Sequence, residues 1–517
     1  MPTVDDSTHT KDRLAAQDNE QLDLLARTLT PARRNLILVA VSMCAMLHSM
    51  SSTCVSVVLP QLQGVLSATP DQISWVITVA VVGSVAATPI TGWLVDRLGW
   101  RTVMTVSAIG FAVSTFLCAT AESLAPMLVY RTFQGAFGAP MIPVAQAILL
   151  ATYPNDKRSW SQSVHGVATV VGQAMAPVIG GYMSASFDWR WSFFFLIPLS
   201  IVAIVMTILW LPQGGKRSGM KLDWQGFVSL AISIGAFQLM LDRGERNDWF
   251  DSQLIIVYAF IAVIGFVVFI SRIWGKERPF IDLSLFSDRQ FALGSILIIL
   301  FGVISFIPMF VYPLILGNLK SYPDTTIGAV LFVRGLGLLA GFFVVAITGY
   351  RYPRSTLFFG FLLAGISGIY GIFYNLEVQY SSIAWHAFWQ GFGVSLIWVP
   401  CITLSFATLP KVLLSQGSAL FHLLRQVAMS VSVAVSVMII VRTGSISYSE
   451  LSWQVGLNNT DIITAETWDT HSLVGLAQLS NEIDRQSQMI GYSNAFVFYT
   501  VGCFVGMLLT FIMGRRR

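Results

Sequence analysis

Fourteen apolar runs, separated by short polar stretches, dominate the chain. They fall near residues 36–59, 72–95, 102–120, 125–149, 162–184, 192–211, 223–241, 254–273, 291–316, 326–348, 356–374, 382–408, 416–441 and 494–514. An apolar run of about 20 residues crosses a hydrocarbon core of roughly 30 Å as a helix. Helices satisfy their own backbone, and prolines inside them are tolerated where neighbouring helices take up the freed groups. The pattern predicts an all-α membrane protein of fourteen transmembrane helices.

The loops set the orientation. With an even number of spans both ends share one face. That face collects Lys11 to Arg34, Arg97, Arg101, Lys157, Arg158, Lys216, Arg217, Lys221, Arg272 to Arg289, Arg351, Arg354, Lys411 and Arg515 to Arg517. The opposite loops hold Arg190, Arg243, Arg246, Lys320, Arg442 and Arg485. Basic loops stay in the cytoplasm, so both termini are expected there. Residues 1–34 read as a polar cytoplasmic tail with no cleavable leader, and Leu22, Leu25, Ala26 and Leu29 share one helical face within 17–29. Residues 443–492 are polar and acidic and read as an external loop, with an amphipathic stretch from Leu473 to Ile483.

Composition agrees with this picture and narrows it. Only 11% of the residues are charged and 55% are hydrophobic, against about 25% charged in soluble proteins. A net charge of +4 offers no nucleic-acid surface. Cys44, Cys54, Cys118, Cys401 and Cys503 all lie in apolar runs without a CxxC pair, so neither a disulfide framework nor a metal site is expected. No cofactor is implied. No Gly-x-x-x-x-Gly-Lys-[Ser/Thr] loop occurs, which argues against ATP hydrolysis, and no HExxH, Gly-x-Ser-x-Gly or paired-carboxylate pattern suggests an enzyme.

Three short patterns carry more specific information. Gly92-Trp-Leu-Val-Asp96-Arg97-Leu-Gly99-Trp-Arg101 joins the second and third runs with both signs of charge and with glycines for close packing. Arg131-Thr-Phe-Gln134-Gly135 places an arginine inside the fourth run, where it needs a water-lined cavity or a partner. Gly172-Gln173-Ala-Met-Ala176-Pro177-Val-Ile-Gly180-Gly181 puts small residues at packing intervals and allows a bend. In this order the three resemble the hairpin latch, the Arg-x-x-Gln-Gly segment and the antiporter motif of the major facilitator superfamily. Ala176 stands where the antiporter motif has its glycine before proline. Asp188-Trp-Arg190-Trp-Ser-Phe-Phe-Phe-Leu-Ile-Pro198 and Asp282-Leu-Ser-Leu-Phe286 add similarity to its fourteen-helix drug:proton antiporter branch, closest to the inner-membrane subunit of Emr-type pumps. The resemblance implies two six-helix halves, 35–211 and 290–514, with two extra helices in 212–274. The site it implies lies between the halves near mid-membrane.

The chain also departs from that pattern. The resemblance leads one to expect an acid in the first helix, and Ser51 occupies its place in Met50-Ser51-Ser52-Thr53. His48, one turn away, is a candidate proton carrier, with Arg131 and Asp242 as further coupling candidates. The second copy of the hairpin, Gly349-Tyr-Arg351-Tyr-Pro353-Arg354, keeps positive charge and lacks the aspartate. Candidate substrate-cavity residues are Ser51, Ser52, Arg131, Gln134, Gln173, Arg334, Trp385, His386, Trp389, Gln390, His422 and Arg425. Three intramembrane arginines with no balancing acid favour anionic or zwitterionic substrates over cationic ones.

The expected function is secondary export of amphipathic small molecules by alternating access with proton antiport, of the multidrug-efflux type. Its ligands are the small-molecule substrate and the lipid bilayer. In a cell with two membranes the resemblance implies an inner-membrane location, a periplasmic adaptor and an outer-membrane channel. The residues leave two other readings open. One is a siderophore or metabolite exporter, or a uniporter, without proton coupling; the other is a non-transporting receptor or scaffold of the same fold.

Overall fold

A computed structural model describes residues 28–214, 223–274, 281–454 and 472–513. The tail before Thr28, the basic residues Lys216, Arg217, Lys221, Lys276 and Arg278, and the C-terminal arginines lie outside the described residues. Among the described residues fourteen helices are long and apolar enough to cross a membrane. They are α1 (Pro31–Ser56), α2 (Gln72–Leu98), α3 (Trp100–Ala119), α4 (Leu124–Thr152), α5 (Arg158–Ser186), α6 (Trp191–Trp210), α7 (Trp224–Arg243) and α8 (Gln253–Ile273). Then follow α9 (Arg289–Leu319), α10 (Thr326–Thr348), α11 (Pro353–Ile372), α12 (Tyr380–Ser405), α13 (Lys411–Gln454) and α14 (Leu473–Thr510). The ends of α2 and the starts of α3, α5, α11 and α13 share one side, here the basic face.

Helices α1–α6 and α9–α14 pack as two bundles that repeat one another in detail. In the first, Gly83 of α2 lies under the Thr132 carbonyl of α4, and Gly135 of α4 lies under the Ala80 carbonyl of α2. In the second, Gly337 of α10 lies under the Phe388 carbonyl of α12, and Gly391 under the Arg334 carbonyl. Both clasps have the same three-residue spacing, so α2 matches α10 and α4 matches α12 residue by residue. Glycine is required at all four places because a Cβ there would strike backbone oxygen.

Breaks in the helices have local causes. Pro89 gives α2 a turn of 3-10 helix at Thr88–Ile90 before Thr91–Leu98 resumes, which re-aims the turn bearing Asp96. Pro177 in α5 cannot donate to the carbonyl of Gln173, and the Thr53 hydroxyl of α1 donates to it instead at 3.2 Å. The same contact runs the length of the pair: Gly172 receives Met46 and Met50, and Gly180 receives Cys54.

Three helix boundaries differ most from the sequence reading. The helix of α1 runs on to Val65. Residues 443–454 and 473–492, read above as external loop, continue α13 and α14 as helix. At 41 residues the Leu414–Gln454 helix is about 60 Å long at about 1.5 Å per residue, twice the hydrocarbon thickness. Its extension stays paired with α14, for example through Tyr448 and Ser480 at 3.0 Å. Polar side chains such as Thr443 and Ser445 hydrogen-bond back to the preceding turn. Residues 455–471 of that loop lie outside the described residues.

Candidate functional site

The hairpin after α2 packs onto the first turns of α13. Asp96 is 1% exposed and its Oδ2 accepts from Gln416 Nε2 at 2.6 Å. Gln416 is the third residue of the helix that starts at Leu414, so the carboxylate faces the positive end of that helix. Trp100 Nε1 donates to Ser415 Oγ at 3.1 Å. Gly92 lies against Gln416, where an added Cβ would come within 2.8 Å of its Cα. Gly99 turns the chain at φ 84°, in the left-handed region that favours glycine. Arg97 stacks on Trp93 at 5.4 Å, and Arg101 donates to the Ile208 carbonyl at the end of α6. The five hairpin residues named from sequence are thus brought together.

Above the hairpin the seam continues toward mid-membrane. Ser418 donates to the Pro143 carbonyl of α4 at 2.8 Å, and Gln426 bonds Ser84 and Thr88 of α2, each at 3.3 Å. A second seam joins α5 to α10. Gly349 meets Ser159, Gly166 receives Phe342, and Phe342 and Val345 pack with Val167 and Val170. Both seams begin at the basic face. Farther along α1, Ser52 and Ser56 are exposed. Gln416, Gln426, Ser415 and Ser418 were missed from the sequence. They are isolated polar residues in an apolar run, and the only available signal was a polar pair at a helix start on the hairpin's side of the membrane.

Arg131 in the first half and Arg334 in the second are buried and fully engaged within their own bundles. Arg131, 1% exposed, donates to the Val76 carbonyl at 3.1 Å, to Ser51 Oγ at 3.3 Å and to Gln134 Oε1. Gln134 donates in turn to Thr115 at 2.7 Å. Arg334 donates to Gln390 Oε1 at 2.6 Å and to the Ser305 carbonyl at 3.1 Å. By the glycine clasps, Gln134 and Gln390 are equivalent positions, while the arginine comes from α4 in one half and from α10 in the other. Ser51, Arg131 and Gln134 therefore form one group, and Arg334 and Gln390 another.

On α13, Arg425 donates through Nη2 to His422 Nδ1 at 3.2 Å and through Nη1 to Met429 Sδ at 3.0 Å, and lies over Trp398 at 5.1 Å. His48 packs against Gly138 and is within electrostatic range of Arg131 and Arg425. Within the fourteen spans the only acids are Asp96, Asp242, Glu450, Glu482 and Asp484, and the last three sit on the extensions of α13 and α14.

Other nominated residues lie elsewhere. Asp242 accepts from Thr78 Oγ1 of α2 at 2.9 Å, and Arg243 lies over Trp75 at 4.0 Å, so the end of α7 is docked on α2. His386 is enclosed within the second half by Tyr312, Tyr374 and Ser367. Trp385 and Trp389 are exposed, Trp385 stacked on Phe388 and Trp389 edge to face with it. Gln173 contributes its carbonyl to α1, and Ala176 is fully buried in the small-residue stripe of α5. The five cysteines are buried and free. Among the described residues no group of three or more His, Cys, Asp or Glu that could hold a metal ion occurs.

Two repeated six-helix bundles, joined by two seams at one face, define a multi-pass membrane transporter. The chain belongs to the Major Facilitator Superfamily, whose family model matches residues 41–433. It is 28% identical over 485 residues to the multidrug export protein EmrB of Haemophilus influenzae, covering 92% of this chain and 94% of that one. It is 29% identical over 405 residues to the fatty acid resistance protein FarB of Neisseria gonorrhoeae, covering 77% and 79%. The crystal structure of the human organic anion transporter MFSD10 (TETRAN) matches with a TM-score of 0.60 at 16% identity, over 92% of this chain and 100% of that chain. That last likeness is one of fold. The similarity to Emr-type exporters agrees with the expectation from the motifs, and the superfamily is one of transporters, not enzymes.

Proposed function

We propose that the chain exports amphipathic small molecules through the cytoplasmic membrane by alternating access, with the basic face and both termini in the cytoplasm. The observation that carries this reading is the position of the seams. They close the halves at the basic face, as an exporter requires when it releases cargo on the far side. Gly92, Asp96 and Gly99 act as the latch of that state, with Arg97 on the hairpin surface and Arg101 bracing the hairpin on α6 of its own half. The names of the relatives, multidrug export and fatty acid resistance, support amphipathic cargo.

Protons are the driving ion in this reading, since each charge crossing 100 mV supplies about 2.3 kcal/mol. His48 is the group that carries them, beside Arg131. In a two-membrane cell the paired extensions of α13 and α14 are the surface offered to a periplasmic adaptor that leads to an outer-membrane channel. The test is flux in proteoliposomes with and without an imposed pH gradient. Gradient-driven flux that collapses in His48→Ala supports coupling through His48.

One observation favours a second reading, export of anionic or zwitterionic metabolites without proton coupling. The residue facing Arg131 from α1 is a serine hydroxyl, which has no proton to exchange near neutral pH. Flux indifferent to the gradient and to His48→Ala would establish that reading in place of the first.

A further inference from the structure

The Arg425–His422 pair on α13 holds two donors in reserve. A guanidinium has no acceptor, so the 3.2 Å contact makes His422 Nδ1 the acceptor. The proton of the neutral imidazole is then on Nε2. That Nε2, on a side chain 2% exposed, has no hydrogen-bond partner among the described residues, and neither does Arg425 Nε. Two N–H groups, one of them cationic, are therefore buried three residues apart on one helix face with nothing to accept from them. Leaving a buried donor unpaired costs about 1–3 kcal/mol, more for a charged group.

The neighbours do not supply an acceptor. His48 of α1 and His165 of α5 are the titratable groups within electrostatic range of His422, Arg131 of α4 adds positive charge beside His48, and no aspartate or glutamate lies in the middle of any span. Trp398 covers the guanidinium and itself packs on Phe301 at 5.1 Å. Next along the helix, Gln426 holds the seam to α2. Two free donors, excess positive charge and an aromatic wall are what an amphipathic carboxylate would complete.

We infer that Arg425 Nε and His422 Nε2 bind the carboxylate of an amphipathic organic acid on the mid-membrane part of α13, with Trp398 and Phe301 against its apolar part. The inference deepens the export reading and rests on it only in taking the region between the two halves as the cargo's path. The test uses the full chain in nanodiscs and labelled decanoate, with decanol and decylamine as neutral and cationic competitors. Decanoate binding is expected to weaken tenfold or more in both Arg425→Gln and His422→Ala, with decanol binding within twofold of wild type. Arg425→Lys keeps the charge without Nε and serves where Arg425→Gln is not monodisperse; it is expected to weaken decanoate as well. Unchanged decanoate affinity in the monodisperse variants overturns the inference, as does decanol competing as well as decanoate against wild type. The export reading fails separately: wild-type protein that binds decanoate through Arg425 yet moves no solute in proteoliposomes keeps this site and loses that function.

Discussion

The two halves share a glycine clasp and differ in how each holds its hairpin. Counted from the clasps, Ala80 matches Arg334, so Asp96 of the first hairpin corresponds to Tyr350 of the second and Arg97 to Arg351. One element is common to both: Arg101 caps the carbonyl end of α6, and Arg354 caps that of α14 by donating to Thr510 and Phe511 at 3.3 and 2.8 Å. The other element is not. Asp96 is buried against the start of α13, while Tyr350 is 44% exposed. The arginine cap thus belongs to the internal build of each bundle, where both copies are needed. The aspartate belongs to the closure between bundles. The α2–α13 seam is a ladder of polar contacts, and the α5–α10 seam is carried by Phe342 and its aliphatic partners. A polar seam depends on geometry and charge, whereas an apolar one depends on volume, so the two should break under different substitutions.

The largest effect is expected at Gly92. A leucine there would meet Gln416 backbone, which cannot yield as a side-chain tip can. The first seam then fails to close, and a shift of about 3 kcal/mol would lower the outward-facing population about a hundredfold. Because the native cysteines are all buried, Ser52→Cys provides a reporter: labelling by an impermeant maleimide from the far face, fast in the parent, should be nearly lost with Gly92→Leu. Labelling at the parental rate would remove the hairpin from the closure.

Phe342→Ala tests the second seam by volume. Buried Phe to Ala substitutions cost about 3–5 kcal/mol, and the lower end is expected here because the α5–α10 seam can close over part of the cavity beside Gly166. The same Ser52→Cys labelling should slow strongly, and the melting temperature of the purified protein should fall, since part of the loss falls within the fold. Asp96→Asn comes next. It keeps the shape, removes the charge facing the helix end, and weakens one charge-assisted hydrogen bond, for about 1.5 kcal/mol or tenfold in flux. Its melting temperature should stay near wild type, which separates it from Phe342→Ala.

How much of this was legible beforehand follows the same division. The spans were readable because lipid demands long apolar runs, and the first hairpin because its charges break such a run at fixed spacing. Arg131, Arg334, Gln134 and Gln390 could each be nominated as polar residues in apolar surroundings. Their pairing could not, because Arg334 meets Gln390 only through the α10–α12 clasp, and a guanidinium supplied from a different helix in each half leaves no repeated motif. The extensions of α13 and α14 were hidden because a helix outside the membrane needs no apolar run. His386, Trp385 and Trp389 were nominated for residue type alone, and type does not say which face of α12 a side chain takes.

The smallest effect sharpens the comparison. If the aspartate is a closure device that the second hairpin simply lacks, Tyr350→Asp should restore part of it, since Gly349 beside it already rests on Ser159 at the start of α5. A carboxylate near a helix N-terminus contributes about 0.3–1 kcal/mol where it remains partly exposed, and Tyr350 is partly exposed. The outward-facing state should gain at most about fivefold, seen as faster labelling of Ser52→Cys. Turnover should slow by a similar factor, because a state held more firmly is left more slowly. The gain should fade at high salt, as exposed charges are screened. In combination with Asp96→Asn, the substitution should recover part of the lost labelling without restoring full flux, because the acid then bridges α10 to α5 and the α2–α13 seam stays weak. Full recovery would mean that the two seams are interchangeable, and the distinction between a polar and an apolar closure would fall.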